Sequence, residues 1–231
     1  MDEIELTGGR VTQGVTRKGD CVYRPCCANS PFVHGVLLWL ERKNIILAPR
    51  FIGIAPDGRE ITSFLEGTSP ENLGYFSDAQ LQAAGKLIRK LHDALSDFPG
   101  CAPGQTVCHN DLSPCNFMFQ GGLPYAVFDW DAARAGDPLD DVAYAAWMWC
   151  NVGDEPSAPA DVGRKVKVLL DAYGLPTESR VNLIEHIHAQ TRRVAASAYA
   201  ARTPEWDACA RWAEGCGNWL RTHQEKIQEA L

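Results

Sequence analysis

An α+β chain in two unequal lobes is predicted, with a small β-rich part over residues 1–66 and a larger, mainly helical part over 67–231. Three observations predict it. Short apolar runs broken by turn residues fill the first quarter of the chain. Long apolar stripes at helical spacing fill most of the remainder. Between the two lies Glu66-Gly67-Thr68-Ser69-Pro70, the most linker-like stretch of the sequence.

In the first part, Ile4 to Leu6, Gln13 to Arg17 and Cys21 to Arg24 are separated by Gly8-Gly9 and Lys18-Gly19-Asp20, which predicts a three-stranded antiparallel meander. Pro31 then opens a helix with Val33, Val36, Leu37 and Leu40 on one face. Phe51 to Ala55, the turn Pro56-Asp57-Gly58-Arg59, and Glu60 to Leu65 read as a hairpin. In the second part Ser77 is an N-cap for a helix whose Leu81, Ala84, Leu87, Ile88, Leu91 and Leu95 share a face. Thr106 to Cys108, Asn116 to Phe119 and Tyr125 to Phe128 are short strands, the last two joined by Gly121-Gly122. Helices then follow at 139–150, 162–173 (stopped by Gly174 and Pro176), 178–201 and 204–229.

Bulk properties narrow the function. Hydrophobic residues make up 45% of the 231 and charged residues 22%, which is ordinary globular composition. Apolar stretches such as Val36 to Leu40 and Val166 to Leu170 fall far short of the roughly 20 residues a membrane helix needs. The acidic start Met1-Asp2-Glu3 lacks a signal peptide's basic and apolar regions, so a cytoplasmic location is expected. A net charge of −7 without any Lys/Arg run argues against nucleic acid and mildly favours a cationic small-molecule partner. Nine cysteines without a single Cys-x2-Cys unit suggest free thiols acting as small hydrophobes rather than a zinc site or disulfides.

The chemistry is carried by His109-Asn110-Asp111-Leu112-Ser113-Pro114-Cys115-Asn116 and, thirteen residues on, Asp129-Trp130-Asp131. The pattern H-x-D-x4-N-x12-D supplies a base and two oxygen ligands at the spacing of a phosphoryl-transfer site. Asp111 alone could be a turn residue and Asp129 an ordinary strand-end acid; together with His109 and Asn116 they read as a catalytic set. The apolar strand Tyr125-Ala126-Val127-Phe128 would deliver Asp129 into a cleft, and Mg2+, which prefers hard oxygens, takes few ligands from protein. Asp131 either reaches a second metal or bonds the loop.

The stretch from Val107 to Tyr144, with VCHNDLSPCNFMF and YAVFDWDAARAGDPLDDVAY, resembles the aminoglycoside phosphotransferase family, itself similar to choline kinases and other small-molecule kinases of the two-lobed protein-kinase-like fold. The likeness is looser over VYRP, SPFVHGVLLWLE and APRFIGI, and faint beyond about residue 155. It implies ATP and Mg2+ as cofactors and a small-molecule hydroxyl, such as one on an aminoglycoside, as acceptor. Asp111 would be the base, Asn116 and Asp129 the metal ligands and His109 a support of the catalytic loop. Asp137 and Asp141 would brace that loop by accepting backbone hydrogen bonds. Thr62-Ser63-Phe64-Leu65 would meet the adenine. Two departures stand out. Arg24 occupies the position of the phosphate-gripping lysine, and the following helix offers no Glu to pair with it, His34 being the nearest polar candidate. The glycine loop, Gly8 to Gly14, is abbreviated, with Gly8, Gly9 and a donor from Thr12 facing phosphates.

Tyr144, Trp147 and Trp149 read as core, with one of the two indoles a candidate to face the acceptor. Asp154, Glu155 and Asp161 are candidate partners for a cationic acceptor, although a solvated loop is the plainer reading, and Glu205 and Asp207 are others. A catalytically silent nucleotide-binding protein of the same fold, or a kinase for choline, an amino acid or an amino sugar, stand as alternatives.

Overall fold

The computed structural model describes residues 3–6, 14–153 and 157–231. The expectations placed on Gly8, Gly9, Thr12, Asp154 and Glu155 lie outside them. Strands β1 (Ile4–Glu5), β2 (Thr16–Lys18) and β3 (Cys21–Arg24) form the expected antiparallel meander. The hairpin of β4 (Phe51–Ile54) and β5 (Glu60–Ser63) joins it through β5, giving the order β1-β2-β3-β5-β4. That pairing sets Arg24 directly opposite Glu60. Helix α1 (Ser30–Arg42) has Pro31 in its first turn, where no amide is needed, and buries Val33, Val36, Leu37 and Leu40.

The chain leaving β5 is tied down as it enters the second part. Thr68 and Phe119 exchange two backbone hydrogen bonds of 3.1 and 2.8 Å, and the Tyr125 hydroxyl donates to the Glu66 carbonyl at 2.7 Å. Gly67, at φ 143°, sits where a Cβ would collide with the Phe119 carbonyl, so the linker docks on the C-terminal part at a glycine-only position.

Helix α2 (Asp78–Leu95) starts with a full capping box between Ser77 and Gln80. It packs on α4 (Pro159–Tyr173) across Gly85, where a Cβ would stand 2.5 Å from the Leu169 carbonyl. Strands β7 (Phe117–Gln120) and β8 (Leu123–Val127) form the predicted hairpin. β6 (Thr106–Cys108) instead pairs with β9 (Arg134–Gly136), a three-residue strand with no sequence signal of its own. Helix α3 (Pro138–Trp149) is buried nearly throughout, under α5 (Leu183–Ala201) and α6 (Pro204–Gln228).

The helix expected over 178–201 is interrupted. Thr177–Asn182 is a 3-10 segment, held by the buried Arg180 side chain, which donates to Asp171 at 2.6 Å and to the Leu175 carbonyl at 2.9 Å. All nine cysteines are free. Burial keeps the Cys108 and Cys150 thiols protonated far above their ordinary range. Cys26 and Cys27 are exposed, unlike the small hydrophobes expected. Among the described residues no helix is long and apolar enough to cross a membrane.

Candidate active site

The loop from His109 to Asn116 leaves the end of β6 and is gripped from below by Asp141. That carboxylate, 1% exposed, accepts the His109 amide at 2.6 Å, the Asn110 amide at 2.7 Å and His92 Nε2 at 3.1 Å. Burial would raise the Asp141 pKa, but the His92 ring and the Asn110 amide more than offset this and hold it below the usual carboxylate range. Asn110 adopts φ 64°, a left-handed conformation that Asn tolerates better than most residues, and so turns Asp111 out of the strand direction.

Asp137 behaves differently from Asp141 and from the expectation. Its side chain accepts the Leu139 amide at 2.8 Å as the N-cap of α3, and it makes no side-chain bond to the loop among the described residues. A helix N-cap captures its own side chain locally, whereas Asp141, one turn on, is free to face the loop.

His109 has both ring nitrogens engaged. Nε2 lies 3.0 Å from the Phe128 carbonyl, which can only accept, and Nδ1 takes the Asp111 amide at 3.3 Å. The Phe128 carbonyl can only accept and the Asp111 amide can only donate, so the two ring nitrogens are engaged in opposite senses. The His109 ring thus ties Phe128 to the start of the loop. The Phe128 amide in turn donates to the Asn116 carbonyl at 3.0 Å, so Phe128, just before Asp129, is held at both its amide and its carbonyl. Asp129 itself sits at φ 62°, ψ 63°, a second left-handed residue in the site.

The remaining loop carbonyls are also held. Asn110 O accepts from Arg193 at 3.2 Å, Asp111 O from the Asn116 side chain at 2.9 Å, and Leu112 O from the Trp149 indole at 3.1 Å. Trp149 is therefore core, as expected. Tyr144 does more than fill space: its hydroxyl donates to Asp111 Oδ1 at 2.8 Å. Burial, then the Asp111 charge, raise the Tyr144 pKa well above normal, so the phenol stays a donor. One carboxylate oxygen of Asp111 is thus occupied and, among the described residues, Oδ2 is left for another partner.

Arg24 reaches Asp129 and Asp131 from β3. It forms ion pairs with Asp131 and, at 3.4 Å, with Asp129. Its Nε stands 3.0 Å from Glu60 Oε1, close enough to attract although not aligned as a hydrogen bond. Glu60, 3% exposed, also meets His34 Nε2 at 2.6 Å. The acid that α1 lacks is therefore supplied by β5, and His34 on α1 holds that acid. Burial tends to lower the Arg24 pKa, but Asp131, Asp129 and Glu60 together raise it. Cys26 Sγ approaches too, lying with His34 and Glu60 atoms within 4.8 Å of one another; the guanidinium already supplies the positive charge there.

At the expected adenine contact, the Ser63 amide donates to the Arg50 carbonyl at 2.9 Å and the Phe64 amide to the Asp20 carbonyl at 2.8 Å. Both are used inside the sheet, and the Arg17 guanidinium covers the Phe64 ring at 3.5 Å. Within Ser63–Leu65, the Leu65 amide alone makes no such bond among the described residues.

The donor set suits a hard divalent cation. The Asn116 amide nitrogen is committed to the Asp111 carbonyl, which directs Oδ1 outward as a neutral oxygen ligand. Partial burial, then the charges of Asp131 and Asp111, raise the Asp129 pKa against the pull of Arg24, so the cluster is one that added positive charge would relieve.

Sequence reasoning missed Glu60, Tyr144, His92 and Arg193. Glu60 had one faint signal, an acid on the buried side of an alternating strand. The others depend on contacts between elements far apart in sequence.

The fold is that of the protein-kinase-like class to which small-molecule kinases belong. A model of the phosphotransferase enzyme family (APH) matches residues 94–177. The trifolitoxin immunity protein of Rhizobium leguminosarum bv. trifolii is 32% identical over 261 aligned positions, spanning 100% of this chain and 99% of that protein. The chain belongs to the APH phosphotransferase family. Among solved structures, an amicoumacin kinase in complex with AMP-PNP and Ca2+ superposes with a TM-score of 0.73 at 11% identity, covering 94% of this chain and 88% of that one. A choline/ethanolamine kinase family protein from Mesorhizobium loti gives 0.68 at 16% identity, covering 100% and 92%. The gentamicin complex of APH(2'')-IIa gives 0.59 at 15% identity, covering 98% and 93%.

Proposed function

We propose that the protein transfers the γ-phosphoryl group of ATP to a hydroxyl of a small molecule, with Asp111 accepting the hydroxyl proton. The observation that carries this reading is the grouping of Asp111, Asn116, Asp129 and Arg24, with Asn116 bonded to Asp111 and Arg24 paired with Asp129. Tyr144 holds Oδ1 of Asp111, which leaves Oδ2 to take the proton as the acceptor oxygen bonds to phosphorus and the bond to ADP breaks. Arg24, kept charged by its three acids, is placed to turn toward a nucleotide phosphate as Asp129 and Asp131 take other partners. His109, Asn110 and Asp141 keep the loop from moving. Asn116 and Asp129 would hold Mg2+, which would supply positive charge against the phosphates. Positioning and charge neutralisation carry most of such an acceleration.

Removing a ligand carboxylate separates metal binding from catalysis. In Asp129→Ala, ATP affinity measured by calorimetry should lose its dependence on Mg2+. Unchanged Mg2+ dependence would overturn the ligand role. Tyr144→Phe should lower kcat about tenfold, as expected for losing a hydrogen bond to a charged group, while leaving the Kd for ATP unchanged. A fall in ATP affinity with kcat intact would contradict the positioning role.

For the acceptor, one relative is named a trifolitoxin immunity protein, and gentamicin and amicoumacin figure in the names of structural neighbours. We propose accordingly that the acceptor is a toxic small molecule disarmed by phosphorylation. A panel of antibiotics and toxins assayed for ADP release tests this, with choline, amino sugars and hydroxy amino acids in the same plate. Release only with the last three would replace the toxin by a metabolite.

A further inference from the structure

Three side chains from separate elements meet beside Arg24: Cys26 on the loop after β3, His34 on α1 and Glu60 at the start of β5. One ligand atom of each lies within 4.8 Å of the other two, and among the described residues no other trio of His, Cys, Asp or Glu does so. A thiol, an imidazole and a carboxylate are the three donor types that Zn2+ takes from proteins. A tetrahedral ion with bonds of about 2.0–2.3 Å sets its ligands about 3.3–3.8 Å apart. Closing the trio around an ion therefore takes a movement of about 1 Å, and it falls to Cys26, which is exposed.

The other two ligands are already oriented. The His34 ring stacks on Phe51 at 3.9 Å and 18°, and its Nε2 stands 2.6 Å from Glu60 Oε2. Arg24 meets the same carboxylate through the other oxygen, its Nε 3.0 Å from Oε1. The guanidinium thus steadies Glu60 without using Oε2, the way an outer partner commonly steadies a ligating carboxylate. Cys26 Sγ is held only by a 3.5 Å contact to the Gly58 carbonyl, which coordination would replace. Charge favours a dication as well. The one guanidinium of Arg24 faces three carboxylates, those of Glu60, Asp129 and Asp131, and leaves negative charge in excess. At one end of this cluster Asn116 and Asp129 offer only oxygens. At the other, Glu60 is joined by sulfur and nitrogen, and those donors select a softer ion than Mg2+.

We propose that Cys26, His34 and Glu60 form a binding site for a thiolate-seeking divalent cation of the Zn2+ class, with water in the fourth position. The ion takes the place of the hydrogen between His34 Nε2 and Glu60 Oε2 and of the Cys26 thiol proton. It ties the loop after β3 to α1 and β5 beside Arg24. The proposal stands apart from the phosphotransferase reading, since it uses neither ATP nor an acceptor.

Co2+ is the probe, because its absorption reports its ligands, and the reduced protein is titrated without nucleotide so that no phosphate competes. Wild-type protein should take up one Co2+ per chain and develop a thiolate-to-cobalt charge-transfer band in the near ultraviolet. Zn2+ should erase that band at one equivalent, and Mg2+ in large excess should not. Cys26→Ser should lose the band and bind Co2+ more weakly by about tenfold or more. Cys27→Ser, at an exposed neighbouring thiol outside the trio, should keep both. His34→Gln should keep a thiolate band but weaken binding by a similar factor, with circular dichroism checking that each variant folds. No charge-transfer band in the wild type, a band that survives Cys26→Ser, or displacement by Mg2+ would each overturn the proposal, and the wild-type titration decides even if His34→Gln fails to fold. Absence of ADP release would overturn the proposed function alone and leave this result standing.

Discussion

Asp111→Asn should lower kcat by about 10²- to 10⁴-fold, the range for removing a side chain that takes a proton in the transition state. ATP affinity should stay within a factor of about three, a margin small against that loss. The substitution is informative because so little else changes. The Asp111 amide and carbonyl, bonded to His109 and the Asn116 side chain, are backbone groups and keep their partners. The new side chain still offers an oxygen to the Tyr144 hydroxyl, which keeps the rotamer. What is lost is the second oxygen and with it the ability to accept a proton. Steady-state kinetics with calorimetric ATP binding separates the two quantities. Near-normal turnover would remove Asp111 from the mechanism.

Asp141→Ala should destabilise the fold by about 3–5 kcal/mol, the cost of leaving three buried donors without their charged acceptor. The His109 and Asn110 amides and His92 Nε2 would all lose their acceptor in a place water does not reach. For a chain of this size the melting temperature should fall by roughly 10 °C, read by denaturant and thermal unfolding. The pH dependence follows from the depressed pKa of Asp141. A carboxyl whose folded pKa lies below its unfolded value of about 3.9 contributes its stability fully above that value. The contribution is lost as pH falls through the folded pKa. The stability gap between wild type and Asp141→Asn should therefore be constant above about pH 5 and narrow below about pH 4. A gap that widens on acidification would mean the pKa is raised instead.

The parts of this fold that sequence reveals are those whose cause is local. The stripe from Leu81 to Leu95 and the Ser77–Gln80 capping box make α2 readable within one segment. Turn residues placed the β2–β3 and β7–β8 hairpins for the same reason. What stayed hidden is long-range. Strand β9 is three residues whose only reason to be extended is its pairing with β6, 28 residues earlier at Val107 and Ala135. The 3-10 segment before α5 follows from Arg180 reaching back to Asp171. The motif likewise located Asp111, Asn116 and Asp129 by spacing, but their support comes from elsewhere. Glu60 meets Arg24 only because β5, rather than β4, joins β3. Tyr144 and Trp149 look like core in the sequence, and only the packing of α3 under the loop gives their polar atoms partners at Asp111 and Leu112. Asp137 and Asp141 are equivalent acids in the sequence; helix start and helix interior separate their roles.

The central claim is phosphoryl transfer dependent on Asp111, and ³¹P NMR of the protein with Mg2+, ATP and the acceptor panel tests it most directly. A new phosphomonoester signal should grow with one acceptor in step with ADP, and should be absent with Asp111→Asn. ATP that binds in a Mg2+-dependent way yet yields neither ADP nor a new phosphorus signal with any acceptor would contradict the account and make this a nucleotide-binding protein of the same fold.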